Sequence, residues 1–330
     1  MTLHLTYVGP RFIVTVGDRR LTTSNGGTLT EFDAHANKTV VVMGAGCVVA
    51  ISYTGLAHID GSSTANWIAE QVLDRKLPEP MRPGAGHPME VAPQEVPHLD
   101  EIIARLCRAL ERDLPRQPVG GRHLEVSIAG YVLKRPWSVD PANPRNSRPV
   151  FLSLIHKGER RRRTKVQTFP KMWGGPSGCK VFQIGTKVPD DIHHEMAEEL
   201  CAPGGQSIRA VEAILVEAVR KTSRVCSTVG TDCMTIHLVP TDPHLCITFD
   251  RDPTRTVDAF TPVIAGAHLL APPAIFRGTD IPRLPTAPWT LNLGVRPPLP
   301  TVLRVPGGPP VPVFEMGAHP QKPFTPRLST

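Results

Sequence analysis

Four apolar, β-branched runs open the chain. Thr2 to Tyr7 and Phe12 to Val16 flank Gly9-Pro10, and Val40 to Met43 and Val48 to Tyr53 flank Gly44-Ala45-Gly46. Runs of this composition fit a pleated surface, and the Gly-rich breaks between them predict two β-hairpins. A helical pattern follows Gly61, with Ser62, Ser63 or Thr64 as its cap, Ile68 and Val72 at helical spacing, and Pro78 as its stop. Leu99, Ile102, Ile103, Leu106, Leu110 and Leu114 form one apolar stripe with acids early and arginines late, which predicts a helix over Leu99 to Leu114. Leu124, Val126 and Ile128 alternate with polar or small residues and predict a strand to Leu133. Further strands are expected at Pro149 to His156, Lys165 to Phe169, Val181 to Ile184, Asp232 to Val239 and Cys246 to Phe249. Helices are expected after Asp190 and over Ser207 to Thr222.

This order of strands, two helices, strands, helices and strands predicts a layered α+β body over residues 1–249, with 78–97 as an inserted Pro/Gly-rich loop. About half of the 36 prolines lie beyond Asp250, where no period of 2 or 3.6 persists. Residues 250–330 are therefore expected to be a proline-rich, extended tail.

Composition changes this picture little. Hydrophobic residues make up 40 % of the 330 and aromatic ones 5 %, so the core is aliphatic. The net charge of +7 aids solubility and is weak ground for an acidic partner. Seven scattered cysteines without a C-x-x-C pair fit reduced thiols. No signal-peptide pattern opens the chain, and no apolar stretch is long enough to span a membrane, so a cytoplasmic protein is expected. Arg160-Arg161-Arg162-Arg163 lacks interleaved aromatics and reads as a solvated hairpin tip, not as a nucleic-acid site. His193 and His194 are adjacent, about 100° apart on a helix, so the acidic cluster around them is read as a helix N-terminus, with no metal expected.

The candidate chemistry emerges when charges are placed on the early strands. Asp18 and Arg20 follow the second strand, Lys38 opens the third and Gly55 lies past the fourth. Pairing of these strands brings an acid, a lysine and a backbone amide toward Thr2. Loss of Met1 would give Thr2 both a hydroxyl and a free α-amine, a nucleophile with a built-in base. Each residue also has a plain structural role: Thr2 as a strand residue, Asp18 with Arg20 as a turn-stabilising pair, Lys38 as a solvated charge, Gly55 as a bend.

In these residues the segment resembles the β-type subunits of the proteasome, within the N-terminal-nucleophile hydrolases. The spacing from Thr2 to Asp18 is similar to the family's nucleophile-to-aspartate spacing, and Asp18-Arg19-Arg20 resembles its acid-Arg-Arg motif. Lys38 before Val40-Val41-Val42 resembles its catalytic lysine, with a short insertion upstream. Ser52-Tyr53-Thr54-Gly55-Leu56 resembles the strand end whose glycine amide forms the oxyanion hole, and Tyr53 to Ala57 is similar to a signature of a bacterial proteasome-like branch. The resemblance covers Thr2 to about Pro240. It implies a four-layer αββα sandwich and a threonine-type peptidase or amidase that needs no cofactor. It makes Thr2, Asp18, Arg20, Lys38 and Gly55 catalytic. Tyr53, Thr54 and Thr186 would lie along the substrate, Thr186 replacing the family's serine with another hydroxyl. It further implies a peptide or protein substrate and assembly of like subunits. The family's supporting aspartate-serine pair would fall near Arg224 and Ser227, where an arginine departs from the pattern. The alternative is a non-catalytic scaffold or interaction protein of the same fold.

Overall fold

The computed structural model describes residues 2–9, 11–25, 28–33, 36–44, 46–76, 89–90, 98–114, 124–133, 147–156, 165–168, 180–200, 206–240, 242–250, 263–265, 268–270, 276–277, 290–292 and 302–304. Strands β1 (Leu3–Val8) and β2 (Ile13–Asp18) form the first expected hairpin. β3 (Leu21–Asn25) and β4 (Thr28–Asp33) form another that the apolar pattern does not predict. β5 (Thr39–Gly44) pairs with β6 (Cys47–Thr54) as expected, and β7 (His58–Ile59) and β8 (Ser62–Ser63) make a short pair.

Helix α1 (Thr64–Leu73) begins where Ser63 Oγ accepts the Asn66 amide at 3.2 Å. It ends at Asp74 in the left-handed region (φ 52°), ahead of the expected stop at Pro78, which lies outside the described residues. After β9 (Met89–Glu90), α2 (Leu99–Asp113) buries its predicted apolar stripe, Ile103 only in part. β10 (Leu124–Leu133), β11 (Ser147–His156) and β12 (Lys165–Thr168) form a meander, followed by β13 (Lys180–Gly185). α3 (Asp190–Leu200) and α4 (Ile208–Val225) precede the hairpin of β14 (Cys233–Val239) and β15 (Asp242–Asp250). Five short strands follow: β16 (Val263–Ala265), β17 (His268–Leu270), β18 (Phe276–Arg277), β19 (Thr290–Asn292) and β20 (Val302–Arg304).

The strands join mainly into two largely antiparallel sheets. One has the order β13-β1-β2-β14-β15-β19-β20, with β18 also on β15. The other has the order β12-β11-β10-β6-β5-β16-β17-β9. Where no hydrophobic period was found beyond Asp250, the described pieces are strands held by the edges β15 and β5. The rest of that region, the Pro-Pro pairs included, lies outside the described residues, as do Arg160 to Arg163 and most of 78–97.

Each sheet shares an apolar cluster with its own pair of helices. Val40, Val42, Val49, Ile51 and Tyr53 pack with Trp67 and Ile68 of α1 and with Ile102 and Leu106 of α2. Leu3, Leu5, Tyr7, Val14 and Val16 pack with Ile192 and Met196 of α3 and with Val211, Leu215 and Val219 of α4. Glu212 on α4 ties this second cluster down. Its carboxylate accepts from Thr248 Oγ1 at 2.8 Å and Arg209 Nη1 at 3.1 Å, and lies 3.4 Å from His237 Nε2. Burial raises its pKa, but these partners outweigh that and hold the carboxyl below its ordinary value.

Because side chains alternate along a strand, the odd residues of β1 reach this cluster while Thr2, His4 and Thr6 face the opposite way. That opposite face meets the other sheet. Phe182 of β13 stacks on Phe151 of β11 with ring centroids 4.1 Å apart, and Tyr131 Oη of β10 donates to the Gly9 carbonyl at 2.8 Å. Among the described residues, no helix is long and apolar enough to cross a membrane.

Candidate active site

The start of β1, the end of β2 and the start of β5 meet at the Asp18 carboxylate. Asp18 is 1 % exposed and accepts four hydrogen bonds. Oδ1 takes the Leu3 amide at 2.7 Å; Oδ2 takes the Arg20 amide, the Gly230 amide and Lys38 Nζ, each at 3.1 Å. The acceptor sites of this carboxylate are thus filled by protein donors. Lys38, 2 % exposed, also donates to the Arg20 carbonyl at 2.5 Å. This is a buried ion pair completed by backbone groups, the arrangement in which burial of charge is tolerated.

Arg20 contributes both ends of its residue. Its main chain bonds Asp18 and Lys38, and its Nη1 donates to the carbonyls of Ser227 at 3.1 Å and Val229 at 3.4 Å. The 226–230 turn is thereby held against the site, and it delivers the Gly230 amide to Asp18. Arg224 stands at the surface near Glu217 Oε1, 3.8 Å away, and Ser227 is exposed.

Thr2 sits beside this cluster because the next amide, Leu3, is bonded to Asp18. The Thr2 carbonyl accepts the Thr186 amide at 2.8 Å and Thr54 Oγ1 at 3.5 Å. Thr54 and Thr186 therefore both border Thr2. Gly55 follows Thr54 just past the buried end of β6 and is itself exposed, with φ 108°. Tyr53 points the other way, into the cluster with α1 and α2, and its hydroxyl donates to the Asn37 carbonyl at 3.2 Å.

Gly185 makes the close approach to Thr2 possible. A Cβ there would stand 1.9 Å from the Thr2 carbonyl oxygen and 2.8 Å from Thr54 Oγ1, and the backbone is left-handed at φ 84°. Gly185→Ala should cost about 2 kcal/mol or more from conformation and displacement together. Chemical denaturation measures that cost, and an unchanged midpoint would refute the close approach.

Two features escaped the sequence reading. Gly230 acts through its amide alone, and no side-chain signal marks it. His4 lies on the Thr2 face of β1 directly opposite Gly17, and is 2 % exposed. A Cβ on Gly17 would fall 2.2 Å from His4 Nδ1 and Cε1, so the glycine makes room for the ring. Burial, then the nearby charge of Lys38, pushes the His4 pKa down to about 3, against a weaker upward pull from the Tyr53 backbone. The alternating Thr2-His4-Thr6 face, opposed by a glycine, was the available signal.

His193 and His194 are exposed on α3, and His194 Nε2 meets Glu198 at 3.1 Å. Among the described residues, no group of three or more His, Cys, Asp or Glu is arranged to hold a metal ion.

No protein family matches the chain, and no curated protein does. Solved structures give weak similarities. Anbu, described as an ancestral beta-subunit, from Yersinia bercovieri has a TM-score of 0.42 and 12 % identity, over 72 % of this chain and 81 % of that one. Anbu from Hyphomicrobium sp. strain MC1 has the same score and identity, over 72 % of this chain and 82 % of that one. HslV from Trypanosoma brucei has a TM-score of 0.39 and 13 % identity, over 72 % of this chain and 99 % of that one. With scores below 0.5, the chemistry of the site is read from its own residues.

Proposed function

We propose that the chain is a threonine-type amide hydrolase with an αββα arrangement, acting through Thr2 once Met1 has been removed. The layer order is inferred from the two separate helix-and-sheet clusters and the contacts between the sheets' remaining faces. The observation that carries the function is the four-bonded Asp18 carboxylate, which joins Leu3, Arg20, Gly230 and Lys38 in one buried cluster beside Thr2.

In this reading the α-amine of Thr2, titrating near ~8 in a free peptide, takes the hydroxyl proton as Oγ1 attacks the substrate carbonyl. The fixed positive charge of Lys38 favours the neutral amine by like-charge repulsion. Asp18 keeps that charge in place, and Arg20 keeps the surrounding turn in place. The exposed Gly55 amide donates to the developing oxyanion, an interaction typically worth about 3 kcal/mol of barrier. The resulting ester on Thr2 is then hydrolysed. Thr54 and Thr186 flank the attacking residue, and Tyr53 supports the β6 strand end from behind. The reading carries with it a peptide or protein substrate, assembly of like subunits and a cytoplasmic setting.

A second reading is favoured by the near-complete burial of Thr2, which is 4 % exposed: a scaffold that keeps the fold without the reaction. One experiment separates the two. Intact-mass analysis should find the mature protein without Met1 and carrying one peptide epoxyketone per chain after incubation. Thr2→Ala should take up none and should lose all hydrolysis of a fluorogenic peptide amide. Retained Met1 together with no capture would favour the scaffold.

A further inference from the structure

Three polar atoms near Thr2 are buried with no hydrogen bond of good geometry among the described residues: Nδ1 and Nε2 of His4, whose ring feels only a weak pull from the Tyr53 backbone, and Oγ1 of Thr186. Buried polar atoms are normally satisfied, so such a group needs an explanation, and an ordered water or a functional role is the usual one. The ring is no accident of packing. It stands on the same face of β1 as Thr2, two residues along, and Gly17 gives up its side chain to admit it. A glycine inside a strand weakens the strand, and an apolar residue at position 4 would fill the space without orphaned nitrogens. Thr186 lies two residues along from Ile184, the cross-strand partner of His4, so both orphaned groups flank Thr2 at one end of the β1–β13 pair.

We propose that His4 is a positioning residue of the Thr2 site, whose imidazole holds the water that hydrolyses the acyl-enzyme. This rests on Thr2 being the nucleophile. In the step, the water oxygen bonds to the acyl carbon and its proton passes to the Thr2 α-amine. The bond from the acyl carbon to Oγ1 then breaks, and Oγ1 recovers a proton from the amine. His4 accepts and donates hydrogen bonds to the water and takes no proton itself. The Thr186 hydroxyl supplies a second contact to the same water.

The test uses the mature full chain with p-nitrophenyl acetate, comparing wild type with His4→Leu, His4→Gln and a Thr2→Ala control. Wild type and His4→Leu should each release one nitrophenolate per chain in a burst absent from Thr2→Ala. In His4→Leu the steady rate after the burst should fall about tenfold or more, and acetylated protein should accumulate by intact mass. His4→Gln, which keeps a donor and an acceptor, should recover part of that rate. His4→Leu should melt at or above the wild-type temperature, because it removes two unsatisfied atoms. A preserved burst with an unchanged steady rate would overturn the proposal, and so would loss of the burst in both His4 variants. A lower melting temperature would mark His4 as a packing residue. Should His4→Leu not fold, the steady rate and melting temperature of His4→Gln decide in the same sense. Absence of a burst from wild type would sink the Thr2 reading as well, an outcome distinct from failure at His4 alone.

Discussion

Replacing Asp18 by alanine should destabilise the chain by about 5 kcal/mol or more, comparable with the whole stability of many domains. The substitution leaves the Lys38 ammonium, whose side chain is 1 % exposed, without its carboxylate. Breaking a buried pair from one side typically costs about 3–5 kcal/mol. It also strips the acceptor from the amides of Leu3, Arg20 and Gly230, each loss worth about 1–3 kcal/mol when the donor stays buried. These losses share one centre and do not simply add. Lys38→Met should cost less, because Asp18 keeps three backbone donors. Asp18→Asn should fall near the alanine variant, since an amide cannot accept at both of its polar atoms. Urea denaturation of the three variants gives the order. A cost for Asp18→Ala below about 2 kcal/mol would mean that the cluster does not hold β1, β2 and the 226–230 turn together.

Acid should act on the same region through His4. Its folded pKa of about 3 lies below the unfolded value of 6.5, so the folded state resists protonation where the unfolded chain accepts it. A depressed pKa gives stability that is fully present above pH 6.5 and lost as the pH falls toward 3. Between those limits acid removes about 5 kcal/mol of stability through this one ring, at 1.36 kcal/mol for each unit. The check is the difference in unfolding free energy between wild type and His4→Leu across that range. The wild-type curve should fall more steeply. Parallel curves would mean that the imidazole is open to bulk solvent in the folded protein, contrary to its burial.

How far the molecule could be read in advance depended on what held each element. β1, β2, β5, β6 and β10 carry their own patterns, and α2 and α4 carry apolar stripes, so their limits were legible to within a few residues. Asp18 and Lys38 could be paired because both stand at ends of strands that had to meet. The β3–β4 hairpin was missed because Leu21 to Asp33 is polar and Thr-rich, although Asn25 before two glycines is a recognised turn signal. The short strands beyond Asp250 have no pattern of their own, because the edges of β5 and β15 hold them. Helix α1 stops at Asp74, not Pro78, because a left-handed residue closed it one turn early. Gly230 could not be found from residue type, since its contribution is a main-chain donor.

The position of β1 between β2 and β13 has a bearing on how the molecule is made. Its neighbour on one side is not synthesised until residues 180–185, and β2 in turn waits for β14 at 233–239. Contacts this distant in sequence close late, after the loops between them have been ordered. The strands earliest in this sequence are thus among the last to be seated. Until Thr186 and Gly230 arrive, the Thr2 carbonyl lacks its amide donor and Asp18 lacks one of its own. A nascent or truncated chain lacking β13 and the 226–230 turn would therefore leave the Asp18 cluster and its neighbour Thr2 unassembled.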